Sequence, residues 1–282
     1  MQLLARETVE GFCSGLHKSP HKGFSVEFKE HRAYSPGDDV RSVDWKLYGK
    51  TDRYFIREHE EETNLRCVIA VDGSGSMAYR GSRAIASKHG FAVRAAAGLA
   101  YLLVRQQDGV GLITFDTAIR DRLPVRGTPR HLSAILEALD RDVSNGETGL
   151  GDVVHQLASV VSGRGLTVLF SDLFGDVEPL MSGLSRLRHA GQEVVIVQTL
   201  DPDELDFPFR RWTEFRSLED RDRRDSIDPA AIRDRYLSEL RRFRAALSEG
   251  CGRRKISLVT VTTDRPPSDV LAELLAARRR PT

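Results

Sequence analysis

Three oxygen-bearing side chains, Asp72, Ser74 and Ser76, alternate with glycines in the stretch Asp72-Gly73-Ser74-Gly75-Ser76-Met77. One carboxylate and two hydroxyls are hard oxygen donors of low total charge. Such a set suits Mg²⁺, which takes near-octahedral oxygen coordination and keeps several waters. Gly73 and Gly75 let the backbone curl so that alternate side chains converge on one point. Taken alone, the same residues read equally well as a solvated Asp/Ser/Gly connector.

The flanking residues fix where this turn must stand. Cys67-Val68-Ile69-Ala70-Val71 is apolar and β-branched, long enough for a buried strand and too short for a helix. Ser82 to Val104, after the turn, is Ala-rich and apolar around much of its surface, which predicts a helix. A turn outside the carboxyl end of a buried strand is where open α/β sheets bind ligands.

From Cys67 onward strand and helix patterns alternate. Strands are predicted at 67–71, 110–115, 118–122, 166–171, 193–199 and 255–262, and helices at 82–106, 129–141, 150–162, 177–190, 229–249 and 268–279. The fold class expected is α/β, a mostly parallel doubly wound sheet with helices on both faces. Only Asp116-Thr117 separates the second and third strands, so that pair reads as a hairpin and one edge strand should be antiparallel. Residues 201–228 interrupt the rhythm with Pro202, Pro208, an aromatic group (Phe207, Phe209, Trp212, Phe215) and an arginine-rich turn at Arg221, Arg223 and Arg224. They read as an insertion with one or two short strands. Two further segments bring oxygens toward the same edge. Thr148 precedes a predicted helix, and Asp172 lies just past the buried strand Leu166–Ser171. Parallel strands share one carboxyl edge, so Asp72, Ser74, Ser76 and Asp172 can converge there, with Thr148 joining from a neighbouring loop.

Before Cys67 the pattern changes, which sets a small β-rich appendage at 1–64 apart from a domain at 65–282. A short helix is expected to about residue 16, then a Gly/Pro/Ser loop containing His17 and His21, which no other Cys or His completes as a metal set. Phe24 to Phe28 alternates as a half-buried strand, and Tyr54 to Arg57 is another candidate. Gly49-Lys50-Thr51 mimics the end of a phosphate-binding loop, but Asp44 stands where that motif requires glycine, so no nucleotide site is expected. The acidic run Glu58 to Glu62 reads as a solvated edge.

Composition narrows the function classes. Hydrophobic content of 40% and charged content of 29% are those of an ordinary soluble protein. A formal net charge of +1 gives no case for wholesale binding to nucleic acid or membrane. Cys13, Cys67 and Cys251 show no metal-ligand spacing, and their scatter fits a reducing compartment. No window approaches the ~20 apolar residues of a membrane span, and Glu7 and Glu10 argue against a signal peptide. A cytoplasmic protein is expected.

The succession of Asp72, Ser74 and Ser76, then Thr148, then Asp172, resembles the metal-ion-dependent adhesion site of von Willebrand factor A-type domains. The segments Gly23–Phe28, Tyr34–Arg41 and Val43–Lys46, with the acidic run before the first strand, resemble domain-of-unknown-function family fifty-eight, whose members are commonly encoded beside MoxR-type AAA+ ATPases. The resemblance covers nearly the whole chain. Many members carry amino-terminal membrane helices, and that property is not carried over here. The resemblance implies a single divalent cation, Mg²⁺ or else Mn²⁺ or Ca²⁺. Ser74, Ser76 and Thr148 would contact it directly or by turns, and Asp72 and Asp172 directly or through water. One position would stay open for an Asp or Glu carboxylate of a partner. A metal-free copy, in which these residues only cap loops, is the alternative. Asp38, Asp39, Arg41, Asp44 and Trp45 read either as a functional surface or as a structural network.

The function expected is therefore a metal-dependent protein-binding module working with a MoxR-type AAA+ ATPase and a client that presents Asp or Glu, without catalysis of its own. The alternative is a Mg²⁺-dependent hydrolase or phosphatase using Asp72. A haloacid-dehalogenase phosphatase needs a second Asp where Ser74 stands, and a serine hydrolase needs Gly where Asp72 stands.

Overall fold

The computed structural model describes residues 1, 3, 5, 6, 8, 9, 32, 33, 48, 49, 54–56, 65–141, 149–216, 218 and 224–279. Thr148, the strand expected at 24–28, the histidine-bearing loop, the 35–46 segment, the acidic run at 58–62 and the turn at 221–223 lie outside the described residues. By contact the chain divides into two units, Ser19–Asn64 and a larger unit made of Met1–Lys18 with Leu65–Thr282. The sequence reading grouped residues 1–18 with the smaller part. In the larger unit their apolar side chains Ala5 and Val9 belong to the main core.

In the smaller unit the short strands β1 (Arg32–Ala33) and β2 (Phe55–Ile56) pair antiparallel, Arg32 opposite Ile56. Tyr48 and Tyr54 stack with ring centroids 4.5 Å apart.

The larger unit runs β3 (Arg66–Asp72), α1 (Lys88–Arg105), β4 (Gly109–Phe115), β5 (Ile119–Arg126), α2 (Pro129–Asp140), α3 (Leu150–Val160), β6 (Gly165–Ser171), α4 (Val177–His189) and β7 (Gln192–Leu200). It continues with α5 (Pro202–Asp206), β8 (Thr213–Arg216), β9 (Arg224–Ile227), α6 (Pro229–Arg253), β10 (Ser257–Thr262) and α7 (Pro267–Arg279). The main sheet has the order β10-β7-β6-β3-β4-β5, parallel throughout except for the β4–β5 pair. This is the mostly parallel, doubly wound sheet with one antiparallel edge strand expected of a von Willebrand factor A-like chain. Within residues 201–228 lie α5 and an antiparallel β8–β9 ribbon.

The sheet is central because its inner strands are apolar on both sides. Cys67, Ile69 and Val71 of β3 join a core with α1, α2 and α7, while Ala70 joins a second core with α3, α4 and the end of α6. Strand β5 instead alternates half-buried and exposed residues and carries Pro124, as suits an edge. It extends to Arg126, four residues beyond the predicted end.

The helix predicted from Ser82 begins only at Lys88, where Ser87 caps it by accepting from the Gly90 amide at 3.1 Å. The preceding residues have other partners. The Gly81 amide donates to Asp201 at 2.8 Å and the Ser82 amide to Asp203 at 2.9 Å. A Cβ on Gly81 would collide with both carboxylates. A carboxylate contact 120 residues away thus removes these amides from any helix.

Helix α1 is small-residued where the amino-terminal residues cross it. A Cβ on Gly98 would stand 2.7 Å from the Thr8 Cγ2 atom. Gly98→Ala should therefore cost ~1–3 kcal/mol in urea unfolding by overpacking. In a Thr8→Ala background the same change should be neutral or stabilising, by up to ~1 kcal/mol, because alanine favours the helix. Equal effects in both backgrounds would contradict this packing.

Candidate metal centre

At the carboxyl end of β3 the chain stops being a strand and turns over the rim of the sheet. The Gly73 amide donates to the Phe115 carbonyl at 2.7 Å, and the Met77 amide to the Ser74 carbonyl at 3.1 Å. Gly75–Ala78 forms one 3-10 turn, anchored by the fully buried Met77. This geometry follows from the alternation of glycine and small polar residues around a single large apolar one.

The turn folds around Asp72, which is 1% exposed. Its Oδ1 accepts the Ser74 amide at 2.8 Å, and its Oδ2 accepts the Ser171 hydroxyl at 2.6 Å. The Ser74 and Ser76 hydroxyls hydrogen-bond to each other, their oxygens 3.2 Å apart. Two ligands on adjacent corners of an octahedron with bonds of ~2.1 Å stand about 3 Å apart, so the pair is spaced as two ligands of one small cation. Asp172 comes from the end of β6, the neighbour of β3, and is also buried. The structure thus brings together four of the five expected residues, Asp72, Ser74, Ser76 and Asp172, at one rim. Thr148 is outside the described residues.

Electrostatically the rim carries excess negative charge. Burial first, and the Asp172 carboxylate second, push the Asp72 carboxyl up to about 7. Asp172 has a partner that the sequence reading missed. Lys88, the first residue of α1, is 0% exposed, and its Nζ lies 2.8 Å from Asp172 Oδ2 and 2.5 Å from Glu204 Oε1. Burial alone would depress the ammonium, but the Asp172 and Glu204 carboxylates outweigh it and hold the lysine above its usual value. Burial raises the Glu204 carboxyl despite Lys88. The Lys88 Nζ also lies 4.9 Å from the Phe174 ring centroid. Asp172 Oδ1 accepts the Phe174 amide at 3.1 Å.

The ammonium therefore already serves Asp172. Counting Asp72 with the two carboxylates on Lys88, three acids meet one base, and two negative charges are left over when all are ionised. Among the described residues no three His, Cys, Asp or Glu side chains gather closely enough to hold a metal by themselves. A cation here would have to lie on the Ser74 and Ser76 hydroxyls, with Asp72 behind them and water completing its shell. The donor set fits one hard divalent ion, with Asp172 acting indirectly.

A lysine at the head of an Ala-rich buried helix, followed by Asp201-Pro202-Asp203-Glu204, was the signal available for this cluster. The latter is a capping box, with the Glu204 side chain accepting from the Asp201 amide at 2.8 Å. Ser171 carried no signal, since a serine at a strand end is ordinary.

Removing the ammonium leaves two buried carboxylates unpaired. Lys88→Met should lower unfolding free energy by ~3–5 kcal/mol at neutral pH, with part of the loss recovered by adding Glu204→Gln; an unchanged urea midpoint would contradict the pairing. Between pH 4 and 7 folded Asp72 holds a proton that the unfolded chain releases, so cation-free protein should lose stability as pH rises through that window. In chelator, thermal melts should show Asp72→Asn more stable than wild type at pH 8 but not at pH 4. A wild-type advantage at pH 8 in chelator would show that Asp72 is already compensated.

Relatives place this architecture. The uncharacterized proteins Mb1516 of Mycobacterium bovis and Rv1480 of Mycobacterium tuberculosis are each 28% identical over 291 residues, covering 99% of this chain and 88% of theirs. Among solved structures, the conserved hypothetical protein BatB from Bacteroides thetaiotaomicron aligns with a TM-score of 0.51 at 16% identity, over 77% of this chain and 100% of that one. An aerotolerance-related membrane protein from Bacteroides fragilis aligns with a TM-score of 0.52 at 19% identity, over 74% and 97%. Among the described residues no helix is long and apolar enough to cross a membrane. The family described as "Protein of unknown function DUF58" matches residues 30–246, and the chain belongs to that family.

Proposed function

We propose that this chain is a protein-binding module whose rim holds one divalent cation, Mg²⁺ in the first instance, and that the cation takes the carboxylate of a partner protein. The observation that carries the reading is the 3.2 Å spacing of the Ser74 and Ser76 hydroxyls over the buried Asp72, which has no cationic partner among the described residues. Ser74, Ser76 and, from the neighbouring loop, Thr148 supply hydroxyl ligands; Asp72 and Asp172 orient them and balance charge. A bound divalent ion supplies a Lewis-acidic, orientation-specific point of attachment for an acid. The resemblance to a family encoded beside MoxR-type AAA+ ATPases makes such an ATPase, with its client, the partner to test, in an assembly or maturation role.

A hydrolase or phosphatase reading would need Asp72 as nucleophile or base. Both of its oxygens already accept hydrogen bonds, from the Ser74 amide and the Ser171 hydroxyl, and it is buried. That supports a binding role over a catalytic one.

Calorimetric titration with Mg²⁺ should give one site per chain, weakened tenfold or more in Ser74→Ala/Ser76→Ala and in Asp72→Ala. A MoxR-type ATPase or its client should be captured by the wild type and lost on chelation and in Asp72→Ala. No heat with Mg²⁺, Mn²⁺ or Ca²⁺, together with capture indifferent to chelator, would overturn the proposal.

A further inference from the structure

The loop that brings Asp172 to the rim runs on into a groove that the cation site leaves unused. The groove encloses about 380 Å³, and its walls include Phe174, Tyr236, Leu240 and Phe243, with Glu239 at the edge. The Phe174 and Phe243 ring centroids are 5.7 Å apart. Both rings and Tyr236 are half-buried, so the walls stay accessible.

The groove is continuous with the charged cluster. Phe174 donates its amide to Asp172 and turns its ring toward the Lys88 ammonium. Tyr236, another of the lining residues, is raised above the usual phenol range by burial and by the Glu204 carboxylate. Phe174 thus touches the groove on one side and the Lys88–Asp172 pair on the other.

Charge around the groove is lopsided. Helix α6, which supplies four of the five groove residues, exposes Arg233, Arg235, Arg241, Arg242 and Arg244 against Asp234 and Glu239, with Arg242 paired to Glu239. The exposed arginines of α6 attract an acidic segment and repel a second copy of the same basic face, because a two-fold pairing brings like surfaces together.

We infer that rim and groove together take one extended acidic segment of a partner protein. Its Asp or Glu meets the cation, and a bulky apolar side chain of the same segment packs into the groove against Phe174 and Phe243. This rests on the cation-binding reading and adds a second anchor to it. An acid alone is a weak and unselective ligand; an apolar residue seated in a pocket beside it supplies most of the discrimination, as anchors do at interfaces.

A random peptide library displayed on phage, panned against the full chain in Mg²⁺, tests this. The enriched peptides should pair Asp or Glu with Phe, Leu or Trp at a fixed short spacing. A synthetic peptide of that consensus should bind about tenfold or more weakly to Phe243→Ser, with Mg²⁺ affinity by calorimetry unchanged. Because Phe243 also packs against the second core, Arg235→Glu/Arg242→Glu serves as a surface variant and should weaken the peptide while leaving the fold intact. Peptides with an acid but no apolar residue, or equal binding to Phe243→Ser and the arginine variant, would overturn the groove while leaving the cation reading in place. Peptides bound equally well in chelator would overturn both. Self-association abolished by Phe243→Ser would assign the groove to a second copy and overturn the inference.

Discussion

The buried Lys88 ammonium, clasped by Asp172 and Glu204, is the contact on which the rim of this sheet depends. It joins three elements remote in sequence: the start of α1, the end of β6 and the short helix α5. A charge taken out of water at this depth is tolerated only if paired and hydrogen-bonded, and removing one partner is far costlier than never having built the pair. The ion pair thus acts more as a specification than as a store of stability. It fixes where α1 starts and where Asp172 points.

Around that clasp the rim is held by carboxylates accepting backbone amides. Asp201 takes Gly81 and the Thr263 hydroxyl, Asp203 takes Ser82 and the Arg83 guanidinium, and Asp72 takes Ser74. The connection from the Ser74–Ser76 turn to α1 is therefore tied to α5. Asp72, like Asp201, has only hydrogen-bond donors and no cationic partner among the described residues. Hydroxyls and an amide temper its charge but do not cancel it, and burial raises it accordingly. A divalent cation on the Ser74 and Ser76 hydroxyls is the remedy the local chemistry offers. The groove beside Phe174 extends the same rim into an apolar surface.

Much of this was legible in the sequence because it follows from local pattern. The apolar run Cys67–Val71, the hairpin at Asp116-Thr117 and the alternation of strands with helices suffice for the sheet and its antiparallel edge. Parallel pairing then carries Asp72 and Asp172 to one edge without further information. What stayed hidden depends on contacts between distant residues. Lys88 meets Asp172 and Glu204 across 84 and 116 residues, and no periodicity reports such pairs. The start of α1 was misplaced by six residues for the same reason, since distant carboxylates claim the amides of Gly81 and Ser82. Residues 1–18 were grouped with the appendage because a short helical stretch does not announce which core its apolar residues, here Ala5 and Val9, will join.

Diffraction from crystals soaked in Mn²⁺ gives the most direct test of the central claim, since the anomalous signal locates the ion without reference to activity or partner. The expected result is one strong peak within about 2–2.4 Å of both the Ser74 and Ser76 hydroxyl oxygens, with Lys88 still on Asp172 and Glu204. A rim without any peak, or with the Lys88 ammonium drawn over to Asp72 in its place, would contradict it.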